Sequence, residues 1–106
     1  AEAITLCERS GADPNKMIKA LTGGWADSKV LQTHGKRMID KDFTPKGKTS
    51  SQLKDMNNIL ECANNFSTEL PISNLVKDMY KTLVENGHGE TDHSSLYKEI
   101  ERINNG

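Results

Sequence analysis

Between Pro71 and Gly87 the apolar residues Ile72, Leu75, Val76, Met79, Tyr80, Leu83 and Val84 recur every three or four positions, which puts them on one side of an α-helix. Proline at the first turn and glycine beyond the last mark where that helix starts and stops. Such a helix is marginal alone in water and has to bury its apolar stripe against something, so the rest of the chain must supply partners of matching shape.

The partners are further helices. Ala3, Ile4 and Cys7 share one side of an opening segment that Gly11 ends, and Asp13-Pro14 restarts the chain as an N-cap followed by proline, with Met17, Ile18 and Leu21 on the apolar stripe. Gly23-Gly24 stops this helix. Asp27 or Ser28 caps the next, along which Val30, Leu31, His34, Gly35, Met38 and Ile39 keep helical spacing. Periodicity lapses over residues 41–50, where Pro45 and Gly47 predict the longest loop. It returns with Leu53, Met56, Ile59, Leu60, Ala63 and Phe66 on one face of a helix starting near Ser50 or Ser51 and ending within residues 64–68. Asp92 caps a last helix carrying Leu96, Tyr97, Ile100 and Ile103, which frays over residues 104–106. No segment alternates with a strand's period of two and nothing repeats. The pattern predicts one all-α domain over residues 1–106, a bundle of about six helices with mostly antiparallel neighbours.

Charge and composition narrow the function. The 14 basic and 15 acidic residues are scattered, which argues against a nucleic-acid or membrane surface as the main partner, and no run is long and apolar enough to span a bilayer. Only 34% of residues are hydrophobic, a thin core whose remaining apolar surface another domain or subunit is expected to complete. Cys7 and Cys62 are predicted to be buried free thiols of a cytoplasmic protein, with no partner at metal-ligand spacing. His34, His88 and His93 fit no zinc signature, so no metal site is expected. There is no G-x-G-x-x-G turn to hold a pyrophosphate and no nucleophile elbow around a serine. Tyr80 and Tyr97 fall on apolar stripes and are read as core.

Taken in order, Gly23-Gly24, His34-Gly35-Lys36-Arg37-Met38, Leu53-Lys54-Asp55-Met56, Gly87-His88-Gly89 and Asp92-His93-Ser94-Ser95 resemble the C-terminal helical domain of the β-hydroxyacid dehydrogenases, the family of 3-hydroxyisobutyrate dehydrogenase and tartronate semialdehyde reductase. The resemblance covers nearly the whole chain and implies the C-terminal fold of a 6-phosphogluconate dehydrogenase-like enzyme. It also implies NAD or NADP as cofactor, held mainly by an N-terminal Rossmann domain, and a homodimer or higher homo-oligomer. The substrate would be a small β-hydroxy acid or its semialdehyde. No catalytic residue is expected within this chain: by the same resemblance the catalytic lysine lies upstream of Ala1, where the lack of a capping residue makes the opening turn read as the tail of a longer helix.

By itself Lys54 reads as a solvated lysine beside Asn57, Asn58 and Glu61 in or just past the first turn of its helix; the resemblance makes it the ammonium that reaches the dinucleotide across the interdomain cleft, with Asp55 beside it. Gly24 and Ser28 are implied at the substrate end of that cleft, although a helix stop and an N-cap account for both locally. His88-Gly89 and Asp92-His93-Ser94 are implied to be structural. Three departures from the family pattern bear on specificity. Trp25 replaces a small residue and is read as a packing anchor between domains, Lys36 replaces a common proline, and Thr49-Ser50-Ser51-Gln52 is expected to give a polar pocket lining suited to a hydroxylated acid. A reading from another class makes the chain a free-standing interaction module that binds a partner helix along Ile72 to Val84.

Overall fold

The computed structural model describes residues 1–105; among them are six α-helices and no strand. They are α1 (Glu2–Arg9), α2 (Pro14–Leu21), α3 (Lys36–Asp40), α4 (Thr49–Asn65), α5 (Pro71–Leu83) and α6 (Leu96–Asn105). The all-α bundle predicted from periodicity is what the chain adopts. Packing runs α4 on α5, α5 on α6, α6 on α1 and α1 on α2.

The local signals act as the sequence predicts. Gly11 leaves α1 at φ +83°, and Asp13 Oδ1 accepts from the Asn15 amide at 2.9 Å to cap α2. A wider, π-helical turn at Leu31–Gly35 precedes α3, and another, Val84–His88, follows α5. Gly87, at φ +90°, closes the second of these.

Two small apolar clusters take the place of one core. Ile4, Met38 and Tyr97 form the first, with Met17 and Phe43 against them, and Met56, Tyr80 and Leu83 form the second, with Leu53, Val76 and Leu96. Adjacent residues of α6, Leu96 and Tyr97, thus serve different clusters. Between the clusters runs a buried polar seam of Thr49, Asp92, Ser94 and Ser95.

Several expectations are corrected. Cys62 is exposed on α4 and Cys7 only half-buried. Ile59 and Phe66 of the α4 stripe, Val30 before α3, and Ile103 of α6 also face outward, because the neighbours of each helix cover only part of its apolar arc. The Ile72 to Val84 seam is divided: Tyr80 and Leu83 are buried inside this chain while Ile72 and Leu75 are exposed, so it is no uninterrupted groove for a partner helix. Helix α6 continues through Asn105 rather than fraying at Asn104, and Gly106 lies outside the described residues. No helix among the described residues is long and apolar enough to cross a membrane.

Candidate functional site

Asp92 organises the region from which the candidate residues rise. Its side chain is completely buried. Oδ1 accepts from the amides of Lys46 at 2.9 Å and Gly47 at 3.2 Å, and Oδ2 from the Ser94 amide at 3.0 Å and the Ser94 hydroxyl. Burial alone would raise this carboxyl's pKa, but the Ser94 hydroxyl and the Lys46, Ser94 and Gly47 amides outweigh it and hold the group well below the usual carboxylate range. Asp92 is thus an N-cap, as predicted, and also the clamp on the loop before α4, whose Phe43 and Gly47 carbonyls accept from the Asp92 and His93 amides.

The same turn closes the start of α4. Its first two amides donate to the carbonyls of Thr91 at 2.8 Å and Gly89 at 2.9 Å, so two of the free amides at this helix N-terminus are already taken by backbone. Thr49 begins the helix, earlier than predicted, and Lys54 and Asp55 therefore sit in the second turn, beyond the influence of the first-turn dipole. Both are exposed, and among the described residues neither makes a hydrogen bond or ion pair. Lys54 has a flexible stem and three unengaged donors, the state of a lysine able to meet an incoming phosphate or ribose oxygen.

Thr49 does not line a pocket. It is completely buried, with Oγ1 lying 3.0 Å from the carbonyls of both Thr91 and Asp92 and 3.1 Å from Ser95 Oγ. Of the four polar residues expected to face substrate, only Ser51 is well exposed, with Ser50 and Gln52 half-buried.

Gly24 and Ser28 share the turn between α2 and the π-helical segment. Gly23, at φ +80°, donates its amide to Asp27 Oδ2 at 2.8 Å, and Asp27 Oδ1 accepts from the Ser28 amide and from Gln32 Nε2. The Gly23 amide first, then Gln32, holds the Asp27 carboxyl below its ordinary pKa. Ser28 Oγ accepts from the Leu31 amide at 2.9 Å, which makes Ser28 the N-cap, and among the described residues its own proton goes to no acceptor. Trp25 is fully exposed and packs on nothing among the described residues. Gly24 and Ser28 thus lie in the connection between α2 and α3, Lys54 and Asp55 on α4, and among the described residues no hydrogen bond or ion pair joins the two pairs.

Sequence spacing gave no sign that His34 and His93 touch. Their rings meet edge to face with centroids 4.4 Å apart, and donor atoms of His34, Asp92 and His93 all lie within 4.8 Å of one another. Asp92 is a poor metal ligand here, because to bind one it would surrender hydrogen bonds from Lys46, Gly47 or Ser94 with the Arg37 guanidinium at hand. The contact depends on long-range folding, which no local motif encodes.

Comparison with known proteins places these features in context. Residues 1–100 match the family model described as "NAD-binding of NADP-dependent 3-hydroxyisobutyrate dehydrogenase". The 2-hydroxy-3-oxopropionate reductase of Escherichia coli is 35% identical over 105 residues, covering 99% of this chain and 36% of that protein. The L-threonate dehydrogenase of Cupriavidus necator is 28% identical, over 92% of this chain and 33% of its own length. In fold, the chain is similar to a crystal structure of 3-hydroxyisobutyrate dehydrogenase from Salmonella typhimurium, with a TM-score of 0.85 at 24% identity, over 92% of this chain and 34% of that one. The chain spans about a third of the length of these relatives.

Proposed function

The chain belongs to the family of NAD-binding domains of NADP-dependent 3-hydroxyisobutyrate dehydrogenases, and on that premise we propose that it is the helical domain that covers NAD or NADP in a cytoplasmic oxidoreductase for a small β-hydroxy acid or its semialdehyde. The observation that carries this reading is the family match over residues 1–100, within which Lys54 of the Leu53-Lys54-Asp55 motif stands exposed on a helix. Nothing in the chain forms a glycine-rich phosphate turn, so its residues fit one edge of a dinucleotide and not the whole of it. The Rossmann domain and the catalytic lysine belong to the other two-thirds of the enzyme, and this chain alone turns nothing over.

When bound, the nicotinamide supplies or accepts the hydride. The contributions of this chain are binding and enclosure. Lys54 donates to the cofactor's oxygens, and Asp55, next to it on the exposed side of α4, is the second cofactor-side residue. Ser28 offers its free hydroxyl proton to the acid, Gly24 leaves room for substrate beside it, and Trp25 anchors the facing domain. The substrate is a hydroxylated acid of the 2-hydroxy-3-oxopropionate type. Support comes from the 35% identical reductase and from the L-threonate dehydrogenase, not from Thr49, whose hydroxyl is spent inside the fold. A homo-oligomer completes the assembly.

The test is nucleotide titration of the polypeptide that includes the dinucleotide-binding domain. Lys54→Ala should weaken NAD(P)H by one charge-assisted hydrogen bond, about 1.5–3 kcal/mol or roughly tenfold to a hundredfold in Kd. An unchanged Kd for both nucleotides would remove Lys54 from the site.

A further inference from the structure

The turn that carries Gly24, Trp25 and Ser28 has a sequence that by itself would leave it loose. Two glycines in succession, Gly23 at φ +80° and Gly24, have more backbone entropy to lose on ordering than any other pair of residues. The turn's own backbone does little to hold it. Gly24 donates to the Leu21 carbonyl at 3.1 Å and Asp27 to the Gly24 carbonyl at 3.2 Å, while among the described residues the amides of Trp25 and Ala26 have no partner. Trp25 adds no packing there, since its side chain is fully exposed.

One carboxylate supplies the missing restraint. Within residues 22–30 Asp27 alone is half-buried and the others are exposed. Its Oδ2 accepts from the Gly23 amide at 2.8 Å, where the turn begins, and its Oδ1 from the Ser28 amide at 2.8 Å, where the turn ends. Gln32 Nε2 donates to Asp27 Oδ1 and to Thr22 Oγ1, each at 2.9 Å, and Thr22 Oγ1 donates in turn to the Ile18 carbonyl of α2 at 2.8 Å. The network therefore ties the last turn of α2 to the π-helical segment through a charged acceptor, whose hydrogen bonds are the strong ones. Capping does not account for it, because Ser28 Oγ already takes the Leu31 amide. Both Asp27 oxygens are occupied by donors of the turn, so its charge is spent there and not turned on an acidic substrate.

We propose that Asp27 is a positioning residue for the substrate: by pinning both ends of the turn, with Gln32 as its brace, it fixes in advance where the Ser28 hydroxyl meets the acid and where Trp25 meets the facing domain. The inference rests on the proposed placement of Gly24 and Ser28 at the substrate end of the cleft. Substrate binding then has no glycine pair left to order, and affinity is higher by the entropy already spent in folding.

Amide nitrogen relaxation of the 106-residue chain reads the turn directly. In the parent, the order parameters of residues 23–28 should stand near those of the helices, about 0.85, and Asp27→Ala should bring them below about 0.6 with helix content by far-UV circular dichroism unchanged. Should the alanine variant lose helix content, Gln32→Leu, at an exposed position, carries the same test with a smaller drop. In the polypeptide that includes the dinucleotide-binding domain, Asp27→Ala should raise KM for 2-hydroxy-3-oxopropionate about tenfold while kcat stays within about threefold and the Kd of NAD(P)H is unchanged. Asp27→Asn keeps one acceptor and should fall between parent and alanine in both measurements. Order parameters that do not move would overturn the proposal. A loosened turn with unchanged KM, in an enzyme where Ser28→Asp does raise KM, would overturn it too and leave the placement of Ser28 standing. If neither substitution moves KM, that placement fails together with the proposal.

Discussion

Arg37 Nη1 stands 3.6 Å from Oδ1 of Asp92, joining α3 to a carboxylate that no water reaches. The same guanidinium donates to the backbone carbonyls of Asp42 and Thr44, so one side chain fastens the loop before α4 to the cap of the last helix. The two halves of the domain are therefore registered by polar contacts, which demand fixed geometry, and not by a continuous apolar core, which tolerates sliding.

Asp92→Asn should be severe. The substitution keeps the shape but puts an amide among donors and leaves Arg37 facing a neutral group, the situation in which breaking a buried pair costs about 3–5 kcal/mol. That is a large share of the roughly 5–15 kcal/mol that holds a domain folded. By comparison, Lys36→Ala removes the exposed Lys36–Asp40 pair at 3.2 Å and should cost under about 1 kcal/mol. Urea denaturation at neutral pH compares them directly, and equal losses would deny Asp92 its role. Because the folded-state pKa of Asp92 is depressed, its stabilisation is present above the ordinary carboxylate range and is lost as pH falls below it; Asp92→Asn should show a shallower decline with acid than the parent.

Thr49→Val should cost about 1–3 kcal/mol in the same assay. Valine matches the shape, but the carbonyls of Thr91 and Asp92 and the hydroxyl of Ser95 then lose a buried partner. If Thr49 instead met substrate, the substitution would leave stability alone and change KM.

Ser28 allows its two roles to be separated. Ser28→Ala removes the acceptor of the Leu31 amide and should destabilise by about 0.5–2 kcal/mol. Ser28→Asp keeps an N-cap acceptor and should restore stability, but it replaces a hydroxyl donor by an anion where the acid substrate is proposed to sit. In the full enzyme the aspartate variant should be stable and show a raised KM; normal KM with full stability would reduce Ser28 to a cap.

What could be read from the chain is what local chemistry decides. Asp13, Ser28 and Asp92 are caps because a short side-chain acceptor satisfies amides one turn away, and Gly11 and Gly87 stop helices because they take φ near +90° without a Cβ penalty. The number of helices follows from their periods. Facing was harder: Ile59, Phe66, Ile72 and Leu75 sit on correct stripes yet reach solvent, since periodicity orients a residue without saying whether a neighbour is present. Thr49 illustrates the limit, because a threonine before a helix looks the same whether it faces substrate or the Asp92 seam. The cofactor reading of Lys54 came from its motif alone; local pattern gave only a solvated lysine, and the bare, exposed position agrees with both.

The contact between His34 and His93 predicts how the domain responds to mild acid. Burial first, then the neighbouring His93, lowers the pKa of His34, with Arg37 acting in the same direction and Asp92 opposing them. The folded state then binds a proton at His34 less readily than the unfolded chain, whose histidines titrate near pH ~6.5. Stability from this group is complete above that pH and declines as pH falls through the depressed folded value. Asp92 stays ionised throughout this window, so the loss belongs to His34. Urea midpoints should therefore fall between pH 7 and pH 5 in the parent, and His34→Gln, which cannot charge, should flatten that fall. Parallel pH profiles for parent and variant would mean that the edge-to-face pair carries no linkage and that mild-acid sensitivity, if present, arises elsewhere in the seam.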